Sequence, residues 1–332
     1  MSASRKVTLL LAAAAVSGPL VAPAAESIAA PTLSPKLFAP GVVSGPADDL
    51  SPAFAPDGKS VYFTRGNNSA SVIVSATQVQ GHWMAPVIAP FSGQWNDIEP
   101  AMAPDGSFLV FSSNRPIDSQ GSPLDATYNG KVASGGGGNL WRVDRKAGRW
   151  SAPVRLAAAI NSGTAVFSPS IAADGSLYFM RQDGSTGYFH LWRSAYRAGS
   201  YQNPEPIKVG DATTEEVDPA VAPDESFMVF TSNHPAKKDQ KRLVISFHGN
   251  NGWGTPHDLG DEVNEAGNNI EARLGPDHQT LYFSTNTVPP VSFPRSQSQA
   301  QRDLTDMTVW ANGRENIWYV SLKSWMDQHG KP

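Results

Sequence analysis

The stretch Ser51–Phe63, SPAFAPDGKSVYF, decides the fold because close variants of it return four more times along the chain. The later copies read EPAMAPDGSFLVF from Glu99, SPSIAADGSLYFM from Ser168, DPAVAPDESFMVF from Asp218 and EARLGPDHQTLYF from Glu271. Self-similarity at a period of roughly fifty residues indicates a repeat architecture with one supersecondary unit per period. Such folds serve both as binding modules and as enzymes, so the function has to be argued from a site.

Each repeat predicts four short β-strands. The first strand carries the start of the phrase, as in Pro52–Ala55. The turn Pro56–Gly58 follows, because proline presets φ and glycine accepts a positive φ. The second strand alternates in character, as in Ser60–Arg65, and in three repeats the third carries a tryptophan, as in Leu140–Val143. The fourth contains a proline, as in Ala152–Leu156, which fits an outer edge strand where no ladder donor is needed.

Four strands repeated radially make a β-propeller, and five phrases predict five blades, so the fold class is all-β. The predicted blades cover about 48–95, 96–164, 165–214, 215–267 and 268–322. The last unit stops after its third strand, whereas Pro35–Val42 resembles a fourth strand that has no other strands before it. We therefore expect residues 35–43 to complete blade five and close the ring, which removes the exposed edges of an open array.

The second copy also carries a recognisable family pattern. From Asp97 to Pro116 it reads D-x-x-P-x-x-A-P-D-G-x-x-x-x-F-x-S-N-R-P, which resembles the WD40-like repeat of TolB-type bacterial propellers. The resemblance covers all five units, although the turns depart from it at Ala173, Glu225 and His278. It implies the propeller fold. The family includes periplasmic partner-binding propellers, modules attached to other domains and some polysaccharide lyases, so the resemblance leaves the function open.

The first residues are typical of a secretory signal peptide. Arg5 and Lys6 precede the apolar run Val7–Ala22, and small residues follow at the positions that a signal peptidase reads. The alternative is a membrane anchor, for which the run is short and is broken at Gly18. We expect residues 1–25 to be the signal and residues 26–332 to be a single propeller domain. The export signal predicts a periplasmic or secreted protein. Because the chain has no cysteine, we expect a protein that is not a lipoprotein and has no disulfides.

The charge balance narrows the class of partner. The chain has 26 Lys+Arg against 30 Asp+Glu, a net charge of −4, and removal of the signal takes away two basic residues and no acidic one. Nucleic acids and anionic membrane surfaces require basic patches, so both are disfavoured. We expect a monomer with no transmembrane segment after signal cleavage.

Two connections between second and third strands are longer than the others, Pro116–Gly138 in blade two and Thr287–Gly313 in blade five. Insertions in repeat proteins map to loops on one face, often the binding face. Blades five, one and two are neighbours in a closed ring, so the two loops should flank the channel mouth over blade one and form a cleft. The alternative is disordered decoration, which the composition of Ser296–Gln301 and Gly135–Gly138 favours.

Carboxylates at the starts of the first strands are predicted to line the channel mouth, with arginines nearby and two tryptophans outside the repeat positions. The candidate ligand-binding residues are Asp49, Asp97, Glu99, Glu216, Asp218, Glu271, Arg65, Arg115, Arg181, Arg273, Trp95 and Trp310. Converging carboxylates suit a divalent cation, a polyol, a cationic ligand or acid–base chemistry, and aromatic rings stack on sugars. The resemblance also implies a structural interpretation, in which the carboxylates bond to strand ends and loop amides of adjacent blades while the arginines neutralise them.

These features favour non-catalytic binding of a protein partner or of an envelope or extracellular glycan. Apart from the candidate divalent cation, no cofactor is indicated. The alternative is a carbohydrate-active enzyme, a polysaccharide lyase or glycoside hydrolase, in which Glu99, Asp218 and Glu271 supply the acid and the base. In that case an arginine or a histidine would stabilise a substrate carboxylate. A lyase would also require a metal and a histidine in the site, and His234 is the candidate histidine. Zinc-hydrolase and serine-nucleophile motifs are absent from the sequence.

Overall fold

A computed structural model of the chain describes residues 33–67, 69–118, 120–128, 130–209, 214–233, 241–264 and 268–329. The predicted signal, residues 1–25, and the candidate His234 lie outside the described residues. Thr32–Pro332 forms one compact unit. Within the described part of the chain, no helix is both long enough and apolar enough to cross a membrane.

Each repeat folds into one antiparallel blade whose strands follow in chain order from the axis outward. The first strand of the chain, β1 (Lys36–Leu37), belongs to the last blade. Blade one consists of β2 (Asp48–Phe54), β3 (Ser60–Gly66), β4 (Ser71–Val79), β5 (His82–Trp83) and β6 (Val87–Ile88). β6 is the outermost strand and pairs with the middle of β4, while β5 forms a short hairpin with its end.

Blades two and three repeat this plan. Blade two consists of β7 (Asp97–Met102), β8 (Phe108–Ser113), the inserted hairpin β9 (Ala126–Tyr128) and β10 (Lys131–Ala133), then β11 (Asn139–Lys146), β12 (Arg149–Trp150) and β13 (Val154–Arg155). Blade three consists of β14 (Val166–Ile171), β15 (Leu177–Gln182), β16 (Phe189–Ser194), β17 (Tyr196–Arg197), β18 (Ser200–Tyr201) and β19 (Glu205–Pro206). The fourth strands β13 and β19 pair with β11 and β16.

Blades four and five carry the helices. Blade four consists of β20 (Glu216–Val221), β21 (Phe227–Ser232), β22 (Arg242–Gly249), β23 (Gly252–Trp253), β24 (His257–Asp258) and the short helix α1 (Asp261–Asn264). Blade five consists of β25 (Ile270–Leu274), β26 (Thr280–Thr285), the inserted helix α2 (Gln297–Val309), β27 (Asn316–Ser321) and the C-terminal helix α3 (Lys323–His329).

The ring is closed by β1, as the sequence predicts. β1 pairs antiparallel with β27, Lys36 opposite Tyr319 and Leu37 opposite Trp318, and thereby supplies the fourth strand of blade five. Phe38, which follows β1, packs edge-on against aromatic rings from both blade one and blade five, including Phe54 and Tyr282. The closing segment therefore joins the first blade to the last.

The core lies between adjacent blades rather than within any one of them. Five apolar clusters each combine residues of two neighbouring blades and together run around the ring. At the same position of each second strand a phenylalanine is at most 2% exposed, and these are Phe63, Phe111, Phe179, Phe230 and Phe283. Burial of one such side chain stabilises the fold by about 1.5–3 kcal/mol, so the repeated aromatic accounts for much of the cohesion between blades.

The turns between first and second strands share two features despite their sequence departures, although the turn of blade three is one residue shorter than the others. An aspartate accepts hydrogen bonds from backbone N–H groups that follow it, as Asp57 does from Lys59 at 2.9 Å. The next residue has a positive φ in all five blades. In blades one to three it is a glycine, whereas Glu225 and His278 adopt φ values of 57° and 53° in blades four and five. The fold therefore imposes this conformation even where no glycine is present.

The two insertions emerge from one face of the ring. In each blade the start of the first strand lies beside the end of the second, so both insertions arise where inner strands begin. We call this side the loop face; its inner strands begin at Asp48, Asp97, Val166, Glu216 and Ile270. The described parts of both insertions contain regular structure, a hairpin in blade two and a thirteen-residue helix in blade five.

Candidate functional site

Five equivalent residues of the inner strands form the candidate site on the propeller axis, and they are called the axial residues here. They are Ser51, Glu99, Ser168, Asp218 and Glu271, and each has a φ between 51° and 59°. Each lies at a register shift between the first and second strands of its blade. A left-handed residue at a β-bulge bends the strand and re-aims its side chain. For non-glycine residues this conformation costs about 1–2 kcal/mol, so the surrounding ring must hold it in place.

Glu99 connects three blades. Its carboxylate oxygen Oε2 accepts hydrogen bonds from Ser112 Oγ at 2.6 Å and from the backbone N–H of Ser168 at 2.7 Å. Its own backbone N–H donates to Thr64 Oγ1 at 2.8 Å. Glu99 is only 5% exposed. The residue therefore ties blade two to blades one and three.

Asp218 and Glu271 continue the connection around the axis. Asp218 Oδ2 accepts from the backbone N–H of Glu271 at 3.0 Å, and Glu271 Oε2 accepts from Ser51 Oγ at 2.6 Å. Arg273 Nη2 lies 3.3 Å from Glu271 Oε2 and 3.2 Å from Ser168 Oγ. These are contacts of the kind that the structural interpretation expects, since each carboxylate bonds to a neighbouring blade.

The axial carboxyl groups also interact electrostatically. Oxygen atoms of Glu99, Asp218 and Glu271 lie within 4.8 Å of one another. Burial and then the charge of Asp218 raise the pKa of Glu99. Burial and the charges of Asp218 and Glu99 raise the pKa of Glu271 well above its ordinary value, and Arg273 offsets part of this effect. The cluster therefore retains a proton more readily than isolated carboxyls do.

The same three residues have the spacing that a metal ion needs. In the part of the chain that the structure describes, they are the one group of three acidic or histidine side chains close enough to share a cation. Arg273 already places a positive charge beside Glu271. A divalent cation would therefore compete with both a guanidinium and a proton at this position.

Two of the other predicted carboxylates are held in closed ion pairs. Asp49 Oδ1 lies 2.7 Å from Arg65 Nε, and Arg65 Nη2 donates to the carbonyl of Val43 at 3.0 Å. Asp97 Oδ1 lies 2.7 Å from Arg115 Nη2. Both aspartates are fully buried, and burial raises the pKa of Asp49 to about 6 although Arg65 opposes the shift. These pairs fasten blade junctions and do not reach the axial carboxyls.

Glu216 pairs with a histidine that the sequence does not single out. Its Oε2 lies 2.9 Å from His190 Nδ1, and its Oε1 accepts a short hydrogen bond from Thr214 Oγ1. His190 lies in β16, in the preceding blade and outside the repeated phrase, so no sequence signal marks it. Arg181 stacks over Trp192, with its guanidinium carbon 3.7 Å from the ring centroid. Glu216 therefore joins blade four to blade three, and Arg181 stabilises blade three itself.

The two candidate tryptophans are half-buried. Trp310 caps the end of α2, packs edge-on against Trp318 at 5.9 Å and donates from Nε1 to Asp306 Oδ1 at 3.3 Å. Trp95 lies just before β7. Of the twelve predicted ligand-binding residues, the structure brings four together at the axis: Glu99, Asp218, Glu271 and Arg273.

Two pockets flank the connection between β3 and β4 on the loop face. One, of about 240 Å³, lies toward blade two and is lined by Asn67, Asn96, Asn114 and Phe167 among others. The other, of about 390 Å³, lies toward blade five and contains Asp48, Arg314 and Glu315. The pockets share Asn67 and Ser71, so they form the two halves of one cleft over blade one. Sequence reasoning missed Glu315, which lies just before β27 and outside the repeated phrase.

Exposed apolar side chains concentrate on the loop face. Among the described residues, thirteen large apolar side chains are exposed, and eight of them lie in connections between second and third strands: Ile117, Val132, Tyr188, Val288, Val291, Phe293, Leu304 and Met307. The other five lie in or beside the third and fourth strands of blades one and two: Val79, Met84, Val87, Ile88 and Val154. Helix α2 contains no buried residue.

No family model matches the sequence, and no curated protein matches it. Solved structures are similar to the chain. TolB from Acinetobacter baumannii is 15% identical over 83% of this chain and 54% of its own, with a TM-score of 0.43. A protein assigned as TolB in Agrobacterium tumefaciens is 12% identical, with 83% and 91% coverage and a TM-score of 0.47. An endo-arabinase from Bacteroides thetaiotaomicron VPI-5482 is 12% identical, with 86% and 97% coverage and a TM-score of 0.48.

These likenesses concern the fold alone. The chain spans about half the length of the Acinetobacter TolB, and the identities and TM-scores are too low to carry any statement about activity. The five four-stranded blades and the ring closed by β1 define a five-bladed β-propeller. Whether the chain binds or hydrolyses has to be argued from its own surface.

Proposed function

We propose that this chain is a non-catalytic binding propeller that recognises a protein partner through its loop face. The observation that carries the proposal is the concentration of exposed apolar side chains in the connections on that face. Contiguous apolar surface on a soluble protein marks an interaction site. Phe293, which is 76% exposed, lies just before α2, and Leu304 and Met307 are about half exposed on α2 itself.

Helix α2 provides a second observation that supports the proposal, because none of its residues is buried. A helix in a soluble domain ordinarily buries an apolar stripe against the core. The thirteen residues of α2 include none that is buried, although the helix has a complete capping box formed by Ser296 and Gln299. Leu304 and Met307 lie three residues apart and so share a helix face. A protein partner would cover that face.

The cellular setting remains part of the proposal. The sequence of residues 1–25 predicts export, so the partner would be a protein of the periplasm, the cell envelope or the extracellular medium. The net negative charge of the chain disfavours nucleic acid and anionic membrane as alternatives.

The test removes the apolar side chains of the loop face and compares the result with an equal removal in the fourth strands of blades one and two. The triple variant Phe293→Ser/Leu304→Ser/Met307→Ser and the control Val87→Ser/Ile88→Ser/Val154→Ser are each cross-linked in an extract of the cell envelope. All six side chains are exposed, so both variants should fold. We expect a partner captured by the wild type and by the control to be lost from the loop-face variant.

Equal capture by both variants would contradict the proposal. A second copy of the same chain, recovered as the captured species, would also contradict it, because the loop face would then be a self-association surface. Melting temperatures of all three proteins are measured alongside, so that loss of capture is not confused with loss of fold.

A carbohydrate-active enzyme is the second candidate, and the axial carboxyls are the observation that favours it. Buried carboxyl groups with raised pKa values and a neighbouring charge are typical of functional sites. Against this, the oxygens of Glu99 and Glu271 are engaged by serines and by Arg273. A thermal-shift screen with glycan fragments and divalent cations, run beside Glu99→Gln/Asp218→Asn, separates the candidates. A ligand-dependent shift that the double variant loses favours the enzyme and justifies turnover assays.

A further inference from the structure

The half of the cleft between blades one and five is short of positive charge. Asp48 and Glu315 both line it, and Arg314 is the cation beside them, with Nη1 at 3.1 Å from Asp48 Oδ2. Asp48 Oδ1 accepts the backbone N–H of Glu315 at 3.1 Å. The nearby Asp49 is paired with Arg65 at 2.7 Å, so its negative charge is already balanced. Two carboxyls therefore face one guanidinium.

Glu315 has an unmet hydrogen-bonding need. Its Oε2 is buried and lacks a hydrogen-bond partner among the residues that the structure describes. Most buried polar atoms in proteins are paired, because an unpaired one destabilises the fold. Because the oxygen is shielded from solvent, a donor that entered the pocket would satisfy it once the Glu315 side chain turned toward the donor.

We propose that the cleft over blade one binds an extended segment of the protein partner carrying a lysine or arginine, whose cationic group lies between Asp48 and Glu315. This inference rests on the proposed function and specifies the chemistry of the partner. The pocket also contains Leu50, which offers apolar contact for the aliphatic stem of a basic side chain. A hard divalent cation suits the pocket less well, since it needs six or more oxygen ligands and would meet Arg314.

The other half of the cleft suits the backbone of the same segment. Its walls carry the side-chain amides of Asn67, Asn96 and Asn114 together with the main chain of Gly135–Gly137, and it contains no charged residue. The oxygens of these amides already accept backbone N–H groups of the cleft walls, and Asn114 Nδ2 donates to Gly135. This half therefore offers a peptide backbone mainly donors, the Nδ2 groups of Asn67 and Asn96. The connection that carries α2 reaches the acidic half through Gly313, so the cleft and the apolar surface belong to one continuous face.

Binding of a cation should release a proton. Burial and then the charge of Asp48 raise the pKa of Glu315 to about 7. The group is therefore partly protonated at neutral pH in the free protein, and a bound lysine favours its ionised form. The affinity for a basic peptide should accordingly rise about tenfold between about pH 6 and pH 8.

The test uses two acetylated and amidated pentapeptides, alanine throughout except for a central lysine in one and norleucine in the other. Binding is followed by two-dimensional NMR at about pH 6 and pH 8 in the wild type, in Glu315→Gln and in the control Glu205→Gln, which is exposed on β19. We expect the lysine peptide to bind about tenfold more tightly than the norleucine peptide, which is the usual scale for a partly desolvated charge pair. Glu315→Gln should abolish that preference and its pH dependence, and Glu205→Gln should keep both.

Equal affinity for the two peptides, no detectable binding of the lysine peptide at millimolar concentration, or an unchanged preference in Glu315→Gln would each overturn the inference. Binding of glucosamine oligomers with the same dependence on Glu315, in place of the peptide, would assign the pocket to a glycan amine and overturn it as well. The capture experiment on Phe293, Leu304 and Met307 is independent of these outcomes. If capture depends on those residues while the peptides show no preference, the proposed function stands and only the assignment of the pocket fails.

Discussion

At the scale of single residues, the axial carboxyls govern how stability responds to pH. Glu99 and Glu271 have raised pKa values because they are buried beside Asp218. A carboxyl with a higher pKa in the folded than in the unfolded state binds more protons when folded. Its contribution is complete below the ordinary pKa of 4.5 and is lost as the pH rises through the folded value. Asp49 and Glu315, with pKa values raised to about 6 and about 7, act in the same direction.

We therefore expect the melting temperature to fall as the pH rises from about 5 to about 8, and Glu271→Gln to flatten that fall. Glutamine cannot ionise, and its oxygen can still accept from Ser51. Calorimetry of the wild type, of Glu271→Gln and of the exposed control Glu205→Gln across this range measures the effect. A pH slope in Glu271→Gln equal to that of the wild type would show that the axial carboxyls do not control it.

His278 offers a second residue-level prediction. It occupies the left-handed turn position that glycine takes in blades one to three, with a φ of 53°. His278→Gly should relieve strain and raise the free energy of unfolding by about 0.5–1 kcal/mol. The gain is smaller than the relieved strain because glycine has more conformational freedom in the unfolded chain. Chemical denaturation measures the change. A lower stability would mean that the imidazole makes contacts that outweigh the strain.

The axial residues could be predicted at this scale, but most contacts of the candidate residues across blade junctions could not. Aligning the repeats is enough to put Glu99, Asp218 and Glu271 at one level, since equivalent positions of a propeller face the axis together. The hydrogen bond of Glu99 to Ser168 and the pairing of Glu216 with His190 join residues from different blades. Such contacts depend on the angle between blades, which no local pattern records.

At the scale of elements, the glycine run before β11 allows two segments of the chain to pack closely against each other. The composition of Gly135–Gly138 favours a disordered segment, but a Cβ on Gly138 would lie 2.1 Å from the ring of Phe167. Gly137 donates to the carbonyl of Leu124 at 2.8 Å and Gly138 to that of Thr164 at 2.7 Å. The run is therefore a tight junction between the insertion of blade two and the first strand of blade three.

Gly138→Ala should lower the free energy of unfolding by about 1–3 kcal/mol, because the added methyl group must displace a buried aromatic ring. Gly184→Ala is the matched control, since a Cβ at that position meets no atom within 4 Å and its φ is not positive. Urea unfolding of the two variants gives the comparison. Similar stabilities would mean that Phe167 moves aside without penalty.

The insertions also mark the limit of prediction at this scale. Their position and shared face follow from the lengths of the repeats, but α2 does not follow from composition, because Ser296–Gln301 is typical of a disordered segment. The capping box at Ser296 and Gln299 stabilises the start of the helix locally. The exposed apolar residues of α2 indicate a binding surface only because the helix packs none of its residues into the core.

At the scale of the whole molecule, ring closure depends on the segment around β1. Phe38 is 9% exposed and contacts rings of both blade one and blade five, among them Trp83 and Tyr319. Phe38→Ala should lower the free energy of unfolding by about 3–5 kcal/mol, the usual loss for a buried phenylalanine. Phe293→Ala, which removes an exposed ring, should change it by less than about 0.5 kcal/mol. A small effect of Phe38→Ala would mean that the ring does not need this closure.

Hydrogen–deuterium exchange of the protein with and without the captured partner would show whether the loop face is the binding surface. We expect slower exchange in α2, in the hairpin formed by β9 and β10, and in the connection that carries Asn67 and Ser71. The outer strands of the blades should remain unchanged. Protection confined to the turns between first and second strands, on the opposite face of the ring, would contradict the proposal that the loop face binds the partner.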